Sequence, residues 1–216
     1  MNYSIEEIKK ILGGAPWDEL LPEDLCMDYL PSWAELYFDD DYCINYGCSK
    51  LVIIPPNTDY VIKIPFLADE SYGEFCSATY PIHNSHGWDY CASECEWYYV
   101  AALHGIKDFF AKSEYVFSYN DYVKIYVQEK CKIYNGARHT HSKEERFTVL
   151  NKLHSIKCQN THLDLDFLVE LFKYYSETEI QKFLIFTERN LSDLHNANVG
   201  FRYGRPVLVD YSGFYD

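Results

Sequence analysis

The sequence predicts an α+β chain: a helical leader, a small antiparallel sheet interrupted by one helix, and a mainly helical remainder ending on a short hairpin. Three observations predict it. Apolar residues recur at helical spacing near the N-terminus and again between 142 and 188. Short apolar runs bounded by turn-forming residues fall between 42 and 128. No repeat, low-complexity tract or linker divides the chain, and 216 residues suffice for one sizeable core or two small lobes sharing a cleft.

Composition narrows the class. Hydrophobic content of 48% and aromatic content of 18% argue for folded structure throughout. No stretch is apolar for long enough to span a membrane. Met1-Asn2-Tyr3-Ser4-Ile5-Glu6-Glu7 lacks a basic n-region and an apolar h-region, which predicts a cytoplasmic protein. The eight cysteines include no pair of C-x-x-C motifs, so they read as small apolar fillers in a reducing compartment rather than as a zinc site. A net charge of −14 tells against direct nucleic-acid binding, which needs Lys and Arg on phosphates. It permits a basic protein partner or nucleic-acid mimicry, with simple solubility as the default reading.

Residues 4–39 form the leader. Ser4 followed by Glu7 is a capping-box pattern, Ile5, Ile8, Ile11 and Leu12 follow helical spacing, and Gly13-Gly14-Ala15-Pro16 ends the helix. Trp17 to Tyr37 predicts short acidic helices broken at Pro22 and Pro31, with no chemistry of their own. From Asp41 the period changes. Tyr42–Asn45, Leu51–Ile54 and Tyr60–Ile64 predict strands, the last two joined by the turn Pro55-Pro56-Asn57-Thr58-Asp59. Lys63 points opposite to Ile62 and Ile64, and taken alone reads as a solvent-facing edge lysine.

Asp89 caps a helix over Tyr90–Leu103 with Cys91, Cys95, Tyr98 and Ala102 on one face. Glu94 falls within that face, where an acid is expensive to bury without a partner, and Lys63 is the obvious one. Glu96 is the fallback, and an ordinary exposed carboxylate the alternative. Val116–Tyr119 and Tyr122–Gln128 predict a hairpin around Asn120-Asp121. Asn135-Gly136 marks a loop, in which His139 and His141 read as solvated. Helices follow from Ser142, with Glu145 completing a capping box before Phe147, Leu150 and Leu153; over Leu163–Tyr175; and over Ser176–Glu188, where Ile180, Phe183, Leu184 and Phe186 are core candidates.

The stretch that carries chemistry runs from Asp193-Leu194-His195-Asn196-Ala197-Asn198 through a hairpin around Tyr203-Gly204 to Asp210-Tyr211-Ser212-Gly213. It reads D-L-H-x-x-N, two short apolar strands, then D-x-x-G. Phosphoryl transfer needs a carboxylate to orient the acceptor hydroxyl and oxygen ligands for Mg²⁺, and Asp193, Asn198 and Asp210 supply that inventory. The intervening hairpin folds Asp210 back beside Asn198.

Here the chain resembles the protein-kinase-like superfamily. The Asp-Leu-His form is similar to the catalytic loop of aminoglycoside and choline phosphotransferases. The resemblance implies that Asp193 is the catalytic-loop carboxylate and that Asn198 and Asp210 hold Mg²⁺. Lys63, in Val-Ile-Lys, stands where the V-A-I-K lysine reaches the ATP phosphates, and Glu94 where its ion-pair partner stands. Glu129, through its carbonyl, and Cys131, through its N–H, are the implied adenine contacts. No G-x-G-x-x-G is present; only Tyr46-Gly47-Cys48-Ser49-Lys50 separates the first two strands, which leaves Gly47 for nucleotide contact. Tyr211 and Ser212 replace the usual Phe-Gly pair, with Gly213 one residue late.

The resemblance covers roughly residues 41–213. It implies a two-lobed kinase-like fold, with an N-terminal helical extension over 1–40, a small antiparallel-sheet lobe over 41–130, and a reduced, mainly helical lobe over 131–216. It also implies that the acceptor half of a full kinase is lacking. Three functions follow: a minimal ATP- and Mg²⁺-dependent phosphotransferase whose acceptor is small or borne by a partner; a catalytically silent nucleotide-binding or interaction module; and an acidic decoy or inhibitor. Phosphoryl and nucleotidyl transfer would require similar residues.

Overall fold

The computed structural model describes residues 1–47, 49–67, 89–134, 141–156, 163–190 and 198–211. The chain is α+β and divides into two units, Met1–Cys95 with Ser113–Lys130, and Glu96–Lys112 with Cys131–Asp216.

The first unit begins with α1 (Ile5–Leu12) and the short α2 (Leu30–Glu35), followed by strands β1 (Cys43–Tyr46), β2 (Lys50–Ile54) and β3 (Tyr60–Pro65). Then come α3 (Tyr90–Leu103), β4 (Ser113–Ser118) and β5 (Lys124–Glu129). The five strands make one antiparallel sheet in the order β1-β2-β3-β5-β4. At the β2–β3 turn Asn57 takes φ 57°, a conformation that asparagine tolerates, and the Thr58 hydroxyl donates toward the carbonyls of Pro55 and Tyr60.

Strand alternation gives this sheet two different faces. Leu51, Ile53, Ile62, Ile64, Ile125 and Val127 are buried on one face, in a single core with Ile8, Leu12, Trp17, Leu25 and Leu30 of the leader. Residues 1–40, read from the sequence as an extension, therefore share the core of the sheet. Trp17 is fully buried, donates its indole N–H to the Leu12 carbonyl at 2.9 Å, and meets Trp33 edge to face. Asn120, in the β4–β5 turn, donates to the carbonyls of Asp18 and Leu20 and accepts from the N–H groups of Tyr122 and Val123. One side chain thus closes the turn and pins the leader to it. At α1 only half of the capping box forms: Ser4 accepts from the Glu7 N–H, while the Glu7 carboxylate accepts from the Tyr60 hydroxyl at 2.8 Å.

The second unit comprises Glu96–Lys112, which includes the later part of α3, and the chain from Cys131 onward. It contains β6 (Lys132–Ile133), α4 (Lys143–Ser155), α5 (Leu165–Tyr174), α6 (Glu177–Asn190), β7 (Val199–Arg202) and β8 (Arg205–Leu208). Its core is aromatic, with Phe109 stacked on both Tyr175 and Phe183. Ile180, Phe183, Leu184 and Phe186 are all buried, as their spacing predicts.

Two faces differ from the sequence reading. On α4 Val149 and Leu153 are buried, while Phe147 and Leu150 are 64% and 50% exposed. Arg146 grips Asp166 of α5 through two hydrogen bonds, so positions 146, 149 and 153 face inward and 147 and 150 lie off that stripe. On α3 the buried stripe runs through Cys91, Glu94 and Ala101, and Ala102 is exposed. No described helix is long and apolar enough to cross a membrane.

Candidate functional site

The sheet face opposite the leader core is polar at its centre. Val52 pairs with Lys63 and Lys63 with Tyr126, so Lys50, Lys63, Tyr126 and Gln128 share this face. Asp89 ties the start of α3 to it: the carboxylate accepts from the Ala92 N–H at 2.9 Å and the Tyr126 hydroxyl at 2.5 Å, and lies 3.3 Å from the Lys124 ammonium. That cap sets the first turns of the helix and brings Glu94, fully buried, onto the strands.

Glu94 accepts from four side chains among the described residues. Lys63 Nζ donates to both carboxylate oxygens, at 3.0 and 2.8 Å, and Lys50 Nζ donates to Oε1 at 2.5 Å. Ser113 and Gln128 donate to Oε2 at 3.3 Å, and Gln128 also reaches the Ser113 hydroxyl at 2.8 Å. A buried carboxylate survives only with such coverage, because neither ion has water to fall back on. Of the two acids considered from sequence, Glu94 makes the contact; Glu96 is exposed. Cys91 and Cys95 sit beside it. Burial, and then the charge of Glu94, pushes the Cys95 thiol up to about 12, and burial raises Cys91 as well, so neither is poised as a nucleophile.

Sequence reasoning missed Lys50. The available signal was its position, two residues before Val52 on the strand that pairs with the Lys63 strand. Gly47 is exposed, and its N–H donates to the Lys50 carbonyl at 3.3 Å, closing the β1–β2 turn. Glu129 ends β5 opposite Tyr60, and the following Lys130 N–H donates to the Asp59 carbonyl.

In the second unit the hairpin does what its sequence predicts. Tyr203 and Gly204 both have positive φ, 48° and 81°, forming a two-residue turn of the primed type, and Val199 pairs with Leu208. The Asn198 carbonyl consequently accepts from both the Val209 and Asp210 N–H groups, at 2.8 and 3.3 Å. The backbones of Asn198 and Asp210 thus come together at one end of the hairpin. Tyr211 is buried, donates its hydroxyl to the Ala111 carbonyl at 2.6 Å and packs edge to face on Phe110. Cys131 lies against Gly200, where a Cβ would come within 2.9 Å of the Lys132 carbonyl oxygen. Asp193, the proposed catalytic carboxylate, lies outside the described residues, as do His195 and Gly213.

His141, read from sequence as solvated, is largely buried. Its Nε2 lies 2.7 Å from Glu170 Oε1 in an ion-pair approach without hydrogen-bond direction, and Lys173 sits 3.1 Å from the same oxygen. Capping of α4 by Ser142 draws the preceding residue in against α5. A surface depression of about 370 Å³ between α4 and α5, bordered by Thr148, Lys152 and Phe172, contains none of the motif residues. Among the described residues no group of three or more His, Cys, Asp or Glu gathers to hold a metal.

No protein-family model matches the chain, and no curated protein matches its sequence.

Proposed function

We propose that this chain is an ATP- and Mg²⁺-dependent phosphotransferase of minimal kinase-like build, acting on a hydroxyl of a small molecule or a partner macromolecule. The observation that carries the reading is the ion pair of Lys63 and Glu94, joining the third strand of an antiparallel sheet to the helix before the fourth. A lysine held on both oxygens of a buried carboxylate is pre-oriented, which is what a cation needs to position phosphates without reorganising. In this reading Asn198 and Asp210, neighbours through their backbones, supply the metal ligands, and the Glu129 carbonyl and Cys131 N–H the adenine contacts. Bound Mg²⁺ would offset charge on the transferring phosphoryl group. Asp193 orients the acceptor hydroxyl and takes its proton as the oxygen attacks the γ-phosphorus, and the bond to the β-phosphate breaks to release ADP.

One observation favours a second reading, a silent nucleotide-binding module. The Gly47 N–H serves its own turn, so it contributes little to cradling phosphates. Thermal-shift titration with ATP, with and without Mg²⁺, tests both readings. A shift is expected with MgATP; no shift in either condition removes nucleotide handling altogether. Transfer or release of γ-phosphate, abolished in Asp193→Ala and Asp210→Ala, identifies the enzyme. Binding without any turnover identifies the silent module.

A further inference from the structure

We propose that His141 is a proton-operated partner switch at the junction of α4 and α5: its neutral ring accepts a hydrogen bond from Lys173, and its protonated ring gives up Lys173 for Glu145. The switch lies within the second unit and does not depend on nucleotide handling.

His141 directly precedes Ser142, the N-cap of α4, and its side chain is 9% exposed. Its backbone N–H donates to Asp166 Oδ1 at 3.3 Å, and Arg146 grips the same carboxylate, so the residue is fixed between the two helices. Among the described residues the charged groups around it are Glu145 and Arg146 on α4, and Asp166, Glu170 and Lys173 on α5.

The two ring nitrogens have different neighbours. Nε2 lies 2.7 Å from Glu170 Oε1, while Nδ1 lies 3.4 Å from Lys173 Nζ and 3.8 Å from Glu145 Oε1. An ammonium donates and never accepts, so contact with Lys173 uses the Nδ1 lone pair and leaves the single ring proton on Nε2, beside Glu170. A second proton, taken from solvent, then goes to Nδ1. There it sets like charge against Lys173, and the acceptor at hand is Glu145. Hydrogen bonds from Ser142, backbone first and hydroxyl second, hold the Glu145 carboxyl below the usual carboxylate range, so it is ionised where a histidine takes up its proton. Glu145 Oε2 accepts from the Ser142 N–H at 2.9 Å, which leaves Oε1 to meet the ring. Lys173 and Glu145 both border the depression between α4 and α5. Protonation thus draws Glu145 inward, turns the half-exposed Lys173 side chain outward, and resets the charge at the mouth of that depression.

Nuclear magnetic resonance of the ¹⁵N- and ¹³C-labelled full chain from about pH 8 to about pH 5.5 tests the switch on wild type, His141→Gln, Lys173→Met and Lys173→Arg. The His141 ring signals are those that vanish in His141→Gln. At about pH 8 wild type is expected to show the Nε2–H tautomer. Lys173→Met, which removes the donor, is expected to populate Nδ1–H, and Lys173→Arg to keep the wild-type tautomer. As the pH falls, the Glu145 carboxyl carbon and the Lys173 ε-protons are expected to shift in step with the His141 ring, and to lose that step in His141→Gln. Three results each overturn the proposal: a neutral wild-type ring in the Nδ1–H form, a ring that takes up no proton over this range, or a protonation that leaves Glu145 and Lys173 unmoved. Should His141→Gln not fold, sequential assignment identifies the ring, and its tautomer in wild type and in Lys173→Met decides.

Discussion

Replacing Glu94 by alanine is the most informative single perturbation of the first unit. At 2.8 Å, with an effective dielectric of about 20, one lysine–carboxylate contact is worth roughly 6 kcal/mol of attraction. Desolvation of several kcal/mol per ion cancels most of this, so the assembled cluster adds little net stability. Truncating the acid is different, because two ammonium groups, Ser113 and Gln128 lose their common acceptor together. Breaking buried pairs in this way costs about 3–5 kcal/mol, and about 4 is expected for Glu94→Ala. Glu94→Gln keeps one acceptor oxygen and is expected to cost about half as much. Combining Lys50→Met, Lys63→Met and Glu94→Leu removes these three charges at similar volume, and is expected to restore stability to within about 1.5 kcal/mol of wild type. Urea unfolding at neutral pH gives the totals. Hydrogen exchange of the β2, β3 and β5 amides assigns the loss to the first unit, since two units need not unfold together. A loss below about 1 kcal/mol for Glu94→Ala, or a triple variant as unstable as Glu94→Ala, would refute the reasoning.

Three further outcomes follow from the geometry. Gly200→Ala drives a Cβ to 2.9 Å from a backbone oxygen and 3.2 Å from Val209, and is expected to cost about 1–3 kcal/mol in thermal unfolding; Gly47→Ala, with nothing within 4 Å, is the matched control and is expected to cost less than about 0.5. Hydrogen bonds from Ser176, hydroxyl first and backbone second, hold the Glu179 carboxyl below the usual carboxylate range. A depressed folded value means stability present above the unfolded pKa and lost as pH falls through the folded one, so wild type should exceed Glu179→Ala near about pH 7 and match it near about pH 2; an equal gap at both pH values contradicts this. A short iodoacetamide pulse on the native protein should label exposed Cys43 well before Cys91 and Cys95, as read by peptide mass spectrometry. Early labelling of Cys95 would show that its thiol is not held up by burial.

What the sequence made legible was local. The Tyr203-Gly204 turn has the two positive φ values that a two-residue hairpin loop demands, and that turn alone sets the register placing Asp210 against Asn198. The Ser142–Glu145 box and the Ser176–Glu179 pair stand where their spacing put them, because each is complete within four residues. The contact between Lys63 and Glu94 followed from a physical constraint: an acid on an inward helix face needs a cation. The misses were relational. Phe147 and Leu150 look like core by period, yet Arg146 chooses the inward face of α4 through Asp166, a partner far along the chain. His141 is drawn in by Glu170 in the same way. Lys50 escaped notice because a lone lysine at the head of an apolar strand carries no pattern; only the pairing register shows that it shares a carboxylate with Lys63.

The merging of residues 1–40 with the sheet has a practical corollary for anyone dissecting this polypeptide. A chain started at residue 41 would forfeit Trp17, Leu25 and Leu30, and leave Leu51, Ile53, Ile62, Ile64, Ile125 and Val127 as a bare greasy plane. Surfaces of that sort recruit other copies sooner than they stay dispersed. The sheet is therefore not separable from the unassuming beginning of the chain, and fragment expression needs to begin before Ile5.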